Sequence, residues 1–376
     1  MARRGRGAGG DGKAPTAARA RKSRALGRVI LRPAALRDLS ALARLAGQLD
    51  SVNLPSDPVA LRRMIQQSVR SFAGRIRRRA EAVYVFVAED PTSRRIAGVS
   101  VIIAKHGTPE SPHYYLEVAE EERYSRTLRR LFRHTYLHLR RSFDGPTEVG
   151  GLVVDPAYRG SPEKIGKQLS YARFLYMALH PDRFEATVLA EMLPPLTEAG
   201  GSPLWECYGR RVTGLSFRDA DVLSRHDKEF IDALFPQAPI YVCMLPEDVR
   251  DQIGVVGPLS AAALHVLEKV GFRFLHQIDP FDGGPYWGAR LEDVVIVKRL
   301  RHLRVRVADP ATAPVRVGLG RDAGREEVLV VPEGGVDFRA VRTSGRILAD
   351  EILLALEDAA GLGVRAGKRV AVVPFL

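Results

Sequence analysis

The sequence predicts an α/β protein of the α+β kind, with helices around a mixed, mostly antiparallel sheet and a small β-rich unit at the C-terminal end. One observation behind this is a strand–loop–helix–strand unit between residues 149 and 192. Another is a pair of apolar runs, 83–88 and 96–104, which a short polar loop separates as in a β-hairpin. Beyond about residue 306, glycine and proline divide the chain into short segments, most of which we expect to be strands.

Length and composition limit the class of protein. The chain has 376 residues, of which 45% are hydrophobic, enough for two or three domains with a sizeable core. This composition excludes collagen, coiled-coil and fully disordered proteins. No apolar run reaches the roughly 18 residues that a membrane span needs. The two cysteines, Cys207 and Cys243, are too few for a disulfide scaffold, so we expect a cytoplasmic protein.

The formal net charge of +13 is unevenly distributed. Residues 1–28 hold nine Lys or Arg and one Asp, a net charge of +8, which leaves about +5 for the rest of the chain. The body is therefore only mildly basic and gives no reason to expect nucleic-acid binding. We expect the segment 1–28 to be a disordered leader; the alternative is an arm that binds nucleic acid or a membrane surface.

The N-terminal elements have clear sequence boundaries. A short strand at 29–31 precedes an amphipathic helix over 38–49, whose leucines fall on one side. Asp57 and Pro58 are typical of the N-cap and the first position of a helix, which should run towards residue 72.

The basic segment 124–141 is predicted to be a helix with its leucines and aromatic residues inward. On a helix, His134 and His138 would have the i, i+4 spacing of metal ligands. No third ligand is nearby and arginines surround the pair, so we interpret this face as solvated and expect no metal.

The second half of the chain has weaker signals. Ser260 and Gly271 are interpreted as the N-cap and C-cap of a helix over 260–270, and the glycines and prolines of 280–285 indicate a tight turn. The other predicted elements are strands at 272–278 and 294–297 and a helix at 344–356.

The central unit carries the clearest chemistry. A buried strand ends in a loop that contains Arg159, Gly160, Lys164 and Gly166, and a helix begins within or just after this loop. Backbone N–H groups at a helix N-terminus favour an anion, and a pyrophosphate fits that site. An ordinary strand–helix connection with surface charges explains the same residues equally well, so the residues alone leave both interpretations open.

The loop is similar to the pyrophosphate loop of GNAT-type acyl-CoA N-acyltransferases, and the chain resembles the arginine N-succinyltransferase family over residues 29–290. An ordered set of short matches carries the resemblance. The matching segments are Leu31-Arg32-Pro33, Tyr84 to Asp90, Leu152 to Arg159, Ala172-Arg173-Phe174, Ala190-Glu191-Met192, Ser202 to Trp205, Pro239-Ile240-Tyr241, Leu267 to Phe272 and Phe281 to Pro285, with Ala366 to Val370 at the end.

The resemblance implies an acyltransferase of arginine breakdown, with a GNAT-type core at 29–200, a family-specific segment at 201–305 and the β-rich unit at 306–376. It implies succinyl-CoA as a co-substrate, no resident cofactor, and the α-amine of arginine or ornithine as the acceptor. Attack would be direct, in a ternary complex. Backbone groups of Leu152, Val153 and Val154 would hold the thioester oxygen, and Arg159, Gly160, Gly166 and Lys167 would hold the pyrophosphate. The family includes systems of two related subunits, so we expect a homodimer or a paired paralogous subunit.

The sequence departs from the family on the acceptor side. Gly257 stands where the family has its proton-donating histidine, and Cys243 replaces a second histidine. The basic residue and glycine after Ala-Glu-Met are here Leu193 and Pro194. Three hypotheses stay open: an active enzyme whose base has moved, an enzyme for a different amine, and a non-catalytic subunit. Glu191 and Cys243 are the candidate bases, although each also has a structural interpretation, as an ion-paired strand end and as an apolar filler.

Overall fold

The computed structural model describes residues 29–48, 53–197, 200–224, 227–308, 324–334 and 338–376. The basic segment 1–28, and with it the hypothesis of a binding arm, lies outside the described residues. The helices are α1 (Leu39–Ala46), α2 (Pro58–Phe72), α3 (Ile165–Leu179), α4 (Arg210–Thr213), α5 (Phe217–Ser224), α6 (Glu229–Leu234), α7 (Glu247–Arg250), α8 (Pro258–Lys269), α9 (Val295–Lys298) and α10 (Leu356–Leu362). The strands are β1 (Ile30–Pro33), β2 (Val83–Glu89), β3 (Ile96–Ile103), β4 (His113–Ser125), β5 (Arg130–Ser142), β6 (Thr147–Val154), β7 (Thr187–Glu191), β8 (Ile240–Tyr241), β9 (Arg273–Ile278), β10 (Pro285–Arg290), β11 (Arg301–Ala308), β12 (Arg325–Pro332), β13 (Ala340–Leu348), β14 (Glu351–Ala355) and β15 (Arg369–Pro374).

These strands form one continuous sheet in the order β12-β15-β11-β14-β13-β1-β2-β3-β6-β7-β10-β9-β4-β5-β8. Within the described ranges, only the β6–β7 and β11–β14 pairs are parallel, which confirms a mixed and mostly antiparallel sheet. The C-terminal strands join the rest through β13, whose Val341 pairs with Ile30 of β1. The proposed boundaries at residues 200 and 305 stay predictions.

The central strands are buried on both faces, because successive side chains of a strand point to opposite sides. Tyr84 and Phe86 of β2 pack in the core that contains α3, whereas Val85 and Val87 pack in the core that contains α1 and α2. Helix α3 is almost wholly buried. This enclosure explains why these strands are continuous apolar runs rather than alternating ones.

Several predicted elements are confirmed. The Asp57 carboxylate accepts a hydrogen bond from the Ala60 N–H at 2.7 Å, and Pro58 is the first residue of α2. Strands β2 and β3 form the expected antiparallel hairpin. Helix α8 lies where expected, but its N-cap is Gly257 rather than Ser260, whose hydroxyl accepts instead from the Leu193 N–H at 3.1 Å.

The predicted helix over 124–141 is wrong, because β4 and β5 form a long antiparallel ribbon in this region. Burial follows a period of two at Leu137 and Leu139, whose packing partners are distant in sequence. On a strand, His134 and His138 are about 13 Å apart, since each residue advances about 3.3 Å. That separation is too large for the two rings to share a metal ion.

Two further expectations are also wrong. Residues 294–297 mostly belong to the short helix α9, and 344–356 contains β13 and β14, joined by a turn in which Ala349 has a φ of 51°. Strand β14 is buried at alternate residues, and the helix of this region begins only at Leu356. No helix in the described part of the chain combines the length and the apolar character needed to cross a membrane.

Candidate active site

The site begins where β6 and β7 separate. These parallel strands pair only at Thr147–Val188 and Glu148–Leu189; beyond that point β6 continues beside β3 and β7 beside β10. A cavity of about 1390 Å³ opens at the fork. It is lined by Leu152 of β6, Glu191 of β7 and the loop that joins β9 to β10.

A bulge in β6 shapes one wall of this cavity. The register between β3 and β6 shifts between Val153 and Gly150, and Gly151 has a φ of +54°. A Cβ at Gly150 would lie 2.5 Å from the Asn53 side chain, and one at Gly151 would lie 2.8 Å from that of Val101. Glycine is therefore required for the bulge and for the close approach of neighbouring groups.

The predicted residues Leu152, Val153 and Val154 directly follow this bulge. Val153 and Val154 pair with Val99 and Gly98 of β3. On the other side of β6, no strand of the described chain pairs with this stretch, because β7 has already diverged. Of these three residues, Leu152 lines the cavity. The backbone edge of this stretch that no strand pairs with can hydrogen-bond to a ligand lying along it.

The loop after β6 leads into the N-terminus of α3. The Asp155 carboxylate accepts from the Ala157 N–H at 2.9 Å, and Gly160 and Lys164 adopt positive φ values of 70° and 51°. The first N–H groups of α3 have no partner inside the helix, so this end attracts anions. The buried Ser161 hydroxyl also lacks a hydrogen-bond partner among the described residues.

The structure brings Arg159 and Lys167 to this loop but gives their side chains other contacts. Arg159 donates to the Val154 carbonyl at 2.9 Å and to Gln48 Oε1 at 3.0 Å. The Lys167 ammonium lies 4.6 Å from the ring centroid of Phe375. Its burial, and the nearby Lys164, lower the pKa of Lys167. Gly166 lies against β6, since its added Cβ would be 3.4 Å from Val154 Cγ2.

Sequence reasoning missed the contribution of the C-terminal strands. Arg342 of β13 donates to the carbonyls of Pro162 and Glu163 at 2.9 and 3.0 Å and also pairs with Glu327. Its guanidinium lies 4.4 Å from the ring centroid of Phe375. Arg342 thus holds the loop 155–164, which we call the anion loop, from about 180 positions away in the sequence. No local sequence pattern indicates a contact over that separation.

The opposite wall of the cavity is acidic. Carboxylate oxygens of Glu191, Asp279 and Asp282 lie within 4.8 Å of one another, close enough to surround a cation. Burial and the neighbouring Asp279 and Asp282 raise the pKa of Glu191 well above its usual value, with Lys228 opposing. Mutual repulsion of this kind makes one of the carboxylates a stronger base than an isolated glutamate.

The two aspartates also hold the turn between β9 and β10. Asp279 accepts from the N–H groups of Phe281 and Asp282 at 2.7 and 3.1 Å and from the Tyr286 hydroxyl at 3.1 Å. Asp282 accepts from the Gly284 N–H at 2.7 Å. Asp282 thus stabilises the turn and also lines the cavity.

A histidine pair near the start of β6 was also missed. His106 and Asn53 both contact the buried Glu148 carboxylate, and all three line the cavity. His113 stacks on Tyr286 with ring centroids 5.5 Å apart, and burial together with His106 lowers the pKa of His113 to about 3. His113 is therefore neutral across the physiological range.

Three of the residues predicted to depart from the family, Leu193, Pro194 and Gly257, are in contact with one another. The Gly257 N–H donates to the Leu193 carbonyl at 2.8 Å, and a Cβ at Gly257 would lie 2.5 Å from the Pro194 oxygen. The segment 193–194 thus occupies the space next to Gly257 that a side chain would need. Cys243 is exposed on the turn after β8 and does not belong to the cavity lining, so the structure does not unite it with Glu191.

A mixed sheet whose parallel pair opens beside an anion loop at a helix N-terminus defines a GNAT-type acyl-CoA N-acyltransferase fold. Residues 29–296 match the family described as "Arginine N-succinyltransferase beta subunit". The chain belongs to this arginine N-succinyltransferase family.

Individual relatives agree with the family assignment. Arginine N-succinyltransferase of Escherichia coli 55989 is 32% identical over 348 residues, which cover 92% of this chain and 97% of that protein; its counterpart in Salmonella paratyphi B is also 32% identical. The structure of the arginine/ornithine succinyltransferase subunit AI from Pseudomonas aeruginosa superposes with a TM-score of 0.76 at 29% identity. That superposition covers 93% of this chain and 99% of the other.

Proposed function

We propose that this protein transfers the succinyl group of succinyl-CoA to the α-amine of arginine or ornithine. One observation carries the proposal: a single cavity joins the open edge of β6 to the acidic cluster of Glu191, Asp279 and Asp282. The first feature suits an acyl-CoA and the second suits a cationic acceptor. The substrates named for the relatives have this pair of properties.

On the donor side, the N-terminus of α3 and the Ser161 hydroxyl would bind the CoA pyrophosphate. The pantetheine chain would follow the open edge of β6 towards the bulge. There, backbone N–H groups near Leu152 would face the thioester oxygen and stabilise the negative charge that it gains during attack.

On the acceptor side, the carboxylates would hold the cationic amino acid beside the thioester. The amine attacks only after it loses a proton, because an ammonium has no free electron pair. Glu191 would accept that proton, a role that its raised pKa suits. The amine nitrogen then bonds to the thioester carbon, the carbon–sulfur bond breaks, and CoA leaves as a thiolate, which takes up the second proton that the nitrogen releases as the amide forms.

A second candidate is the transfer of an acyl group to a different amine. The contact between Gly257 and the 193–194 segment favours it, since this rebuilt corner adjoins the acceptor wall. A homodimer, or a pair with a related subunit that supplies a missing group, also remains a proposal.

A free-thiol release assay with succinyl-CoA tests the proposed function. Arginine, ornithine and other primary amines serve as acceptors, and Nα-acetylarginine, whose α-amine is blocked, is the matched control. We expect thiol release with arginine or ornithine and none with the blocked analogue. Release only with another amine would favour the second candidate, and no release with any amine would overturn both.

A further inference from the structure

Arg173 of α3 is a buried cation at the donor end of the cavity. Only 2% of its surface is exposed, yet it lines the cavity beside Gly150 and Ser170. Its guanidinium donates to the Gly150 carbonyl at 3.3 Å and to Ser170 Oγ at 3.2 Å, both long for such bonds. Its Nε lacks a hydrogen-bond partner among the residues that the structure describes.

This cation has no direct counter-ion within the described ranges. The negative charge of Glu148 raises the pKa of Arg173 and so favours its charged form. The two Glu148 carboxylate oxygens, however, already contact His106 and Asn53. Burial lowers the pKa of Arg173 to about 9, so the group is charged at neutral pH. An arginine in such a site is costly unless a carboxylate or phosphate pairs with it.

We propose that Arg173 binds the terminal carboxylate of the acyl group and thereby selects a dicarboxylic acyl donor. The inference rests on the proposed function, since it assumes that an acyl-CoA lies along β6. It assigns a specificity-determining residue to a reaction whose acyl chain the cavity shape alone does not define.

The position of Arg173 along β6 fits this role. Gly150 precedes Leu152 by two residues, which is at most about 6–7 Å along the strand because the bulge lies between them. A thioester oxygen beside Leu152 would therefore place a four-carbon acyl chain with its end near Gly150, where the guanidinium lies. The Lys105 ammonium, another cavity cation, is already paired with Asp144 and Glu185. It is a poorer candidate for that reason.

The test compares succinyl-CoA with butyryl-CoA, which has the same chain length but no carboxylate. In Arg173→Met, we expect kcat/KM for succinyl-CoA to fall roughly 10- to 100-fold, because a charge-assisted hydrogen bond is lost. We expect kcat/KM for butyryl-CoA to change less than about threefold or to rise. A role limited to supporting the β6 bulge would lower both values together. Arg173→Lys should restore part of the preference for succinyl-CoA.

Lys105→Met is the matched control and should leave the succinyl/butyryl ratio unchanged. Lys228→Met tests a further cation that lines the cavity. An unchanged ratio in Arg173→Met, or a ratio lost in Lys228→Met instead, would overturn the assignment. If the wild-type protein uses neither donor, the proposed function itself fails; if it uses both equally well, only the role of Arg173 fails.

Discussion

Glu191 unites two properties that matter at the residue scale: it is open to the cavity and it belongs to a repelling group of carboxylates. Both follow from the end of β7 facing the β9–β10 turn. We predict that Glu191→Gln lowers kcat by about 10²- to 10⁴-fold, the usual range for a general base, with donor binding retained. The rise of the wild-type rate with pH through the raised pKa should disappear in the variant.

The same substitution should change stability with a defined sign. The pKa of the Glu191 carboxyl is higher in the folded than in the unfolded protein. Its contribution to the free energy of unfolding therefore decreases as the pH rises above its pKa in the unfolded protein. Glu191→Gln should therefore raise the Tm at pH 8 and leave it nearly unchanged near pH 4. Glu206→Gln, a surface residue paired with Arg210, is the control. A lower Tm at pH 8 would contradict the assigned repulsion.

Gly257 yields a second residue-scale prediction. Gly257→Ala should destabilise the protein by about 1–3 kcal/mol, because its Cβ would meet the Pro194 backbone oxygen at 2.5 Å. Gly257→His, which introduces the residue type that the family resemblance implies at this position, should be at least as destabilising and should not raise activity. Gly361→Ala in α10, where an added Cβ meets nothing within 4 Å, is the control and should be neutral or stabilising. Thermal unfolding measures all three.

At the scale of elements, the anion loop depends on a strand from the far end of the chain. Arg342→Met removes two hydrogen bonds to loop carbonyls, so we predict a several-fold higher KM for the acyl-CoA and little change in kcat. Arg346→Met, on the exposed part of the same strand, should change neither constant. Equal losses of kcat in both variants would show a general effect on folding instead.

How far the sequence predicts these elements depends on where their partners lie. The hairpin of β2 and β3 and the capped helix α2 have local signals, such as Asp57-Pro58, and were predicted correctly. The β4–β5 ribbon was predicted as a helix because leucine spacing fits both periods until the packing partners are known. The strands of the unit over 149–192 were predicted from their apolar runs, whereas the fork between them, Arg173, Arg342 and the Glu148–His106 contact depend on distant segments.

At the scale of the molecule, one sheet carries both the open edge of β6 and the β9–β10 turn, which line the same cavity. We therefore predict sequential kinetics: initial-rate lines for the two substrates should intersect, as for a ternary complex. Cys243→Ala should retain full activity, because Cys243 lies outside the cavity lining. Parallel lines, or trapping of an acyl-enzyme, would contradict direct attack.

The proposed donor site is best tested by a crystal structure of the protein with a thioether analogue of succinyl-CoA. In this analogue a methylene group replaces the thioester carbonyl, so the amine cannot attack it. We predict the pyrophosphate at the N-terminus of α3, the pantetheine along the open edge of β6 and the terminal carboxylate on Arg173. The sulfur would then face Glu191 across the cavity. An analogue bound elsewhere, or bound with its acyl chain turned away from the β6–β7 fork, would contradict the proposed donor site.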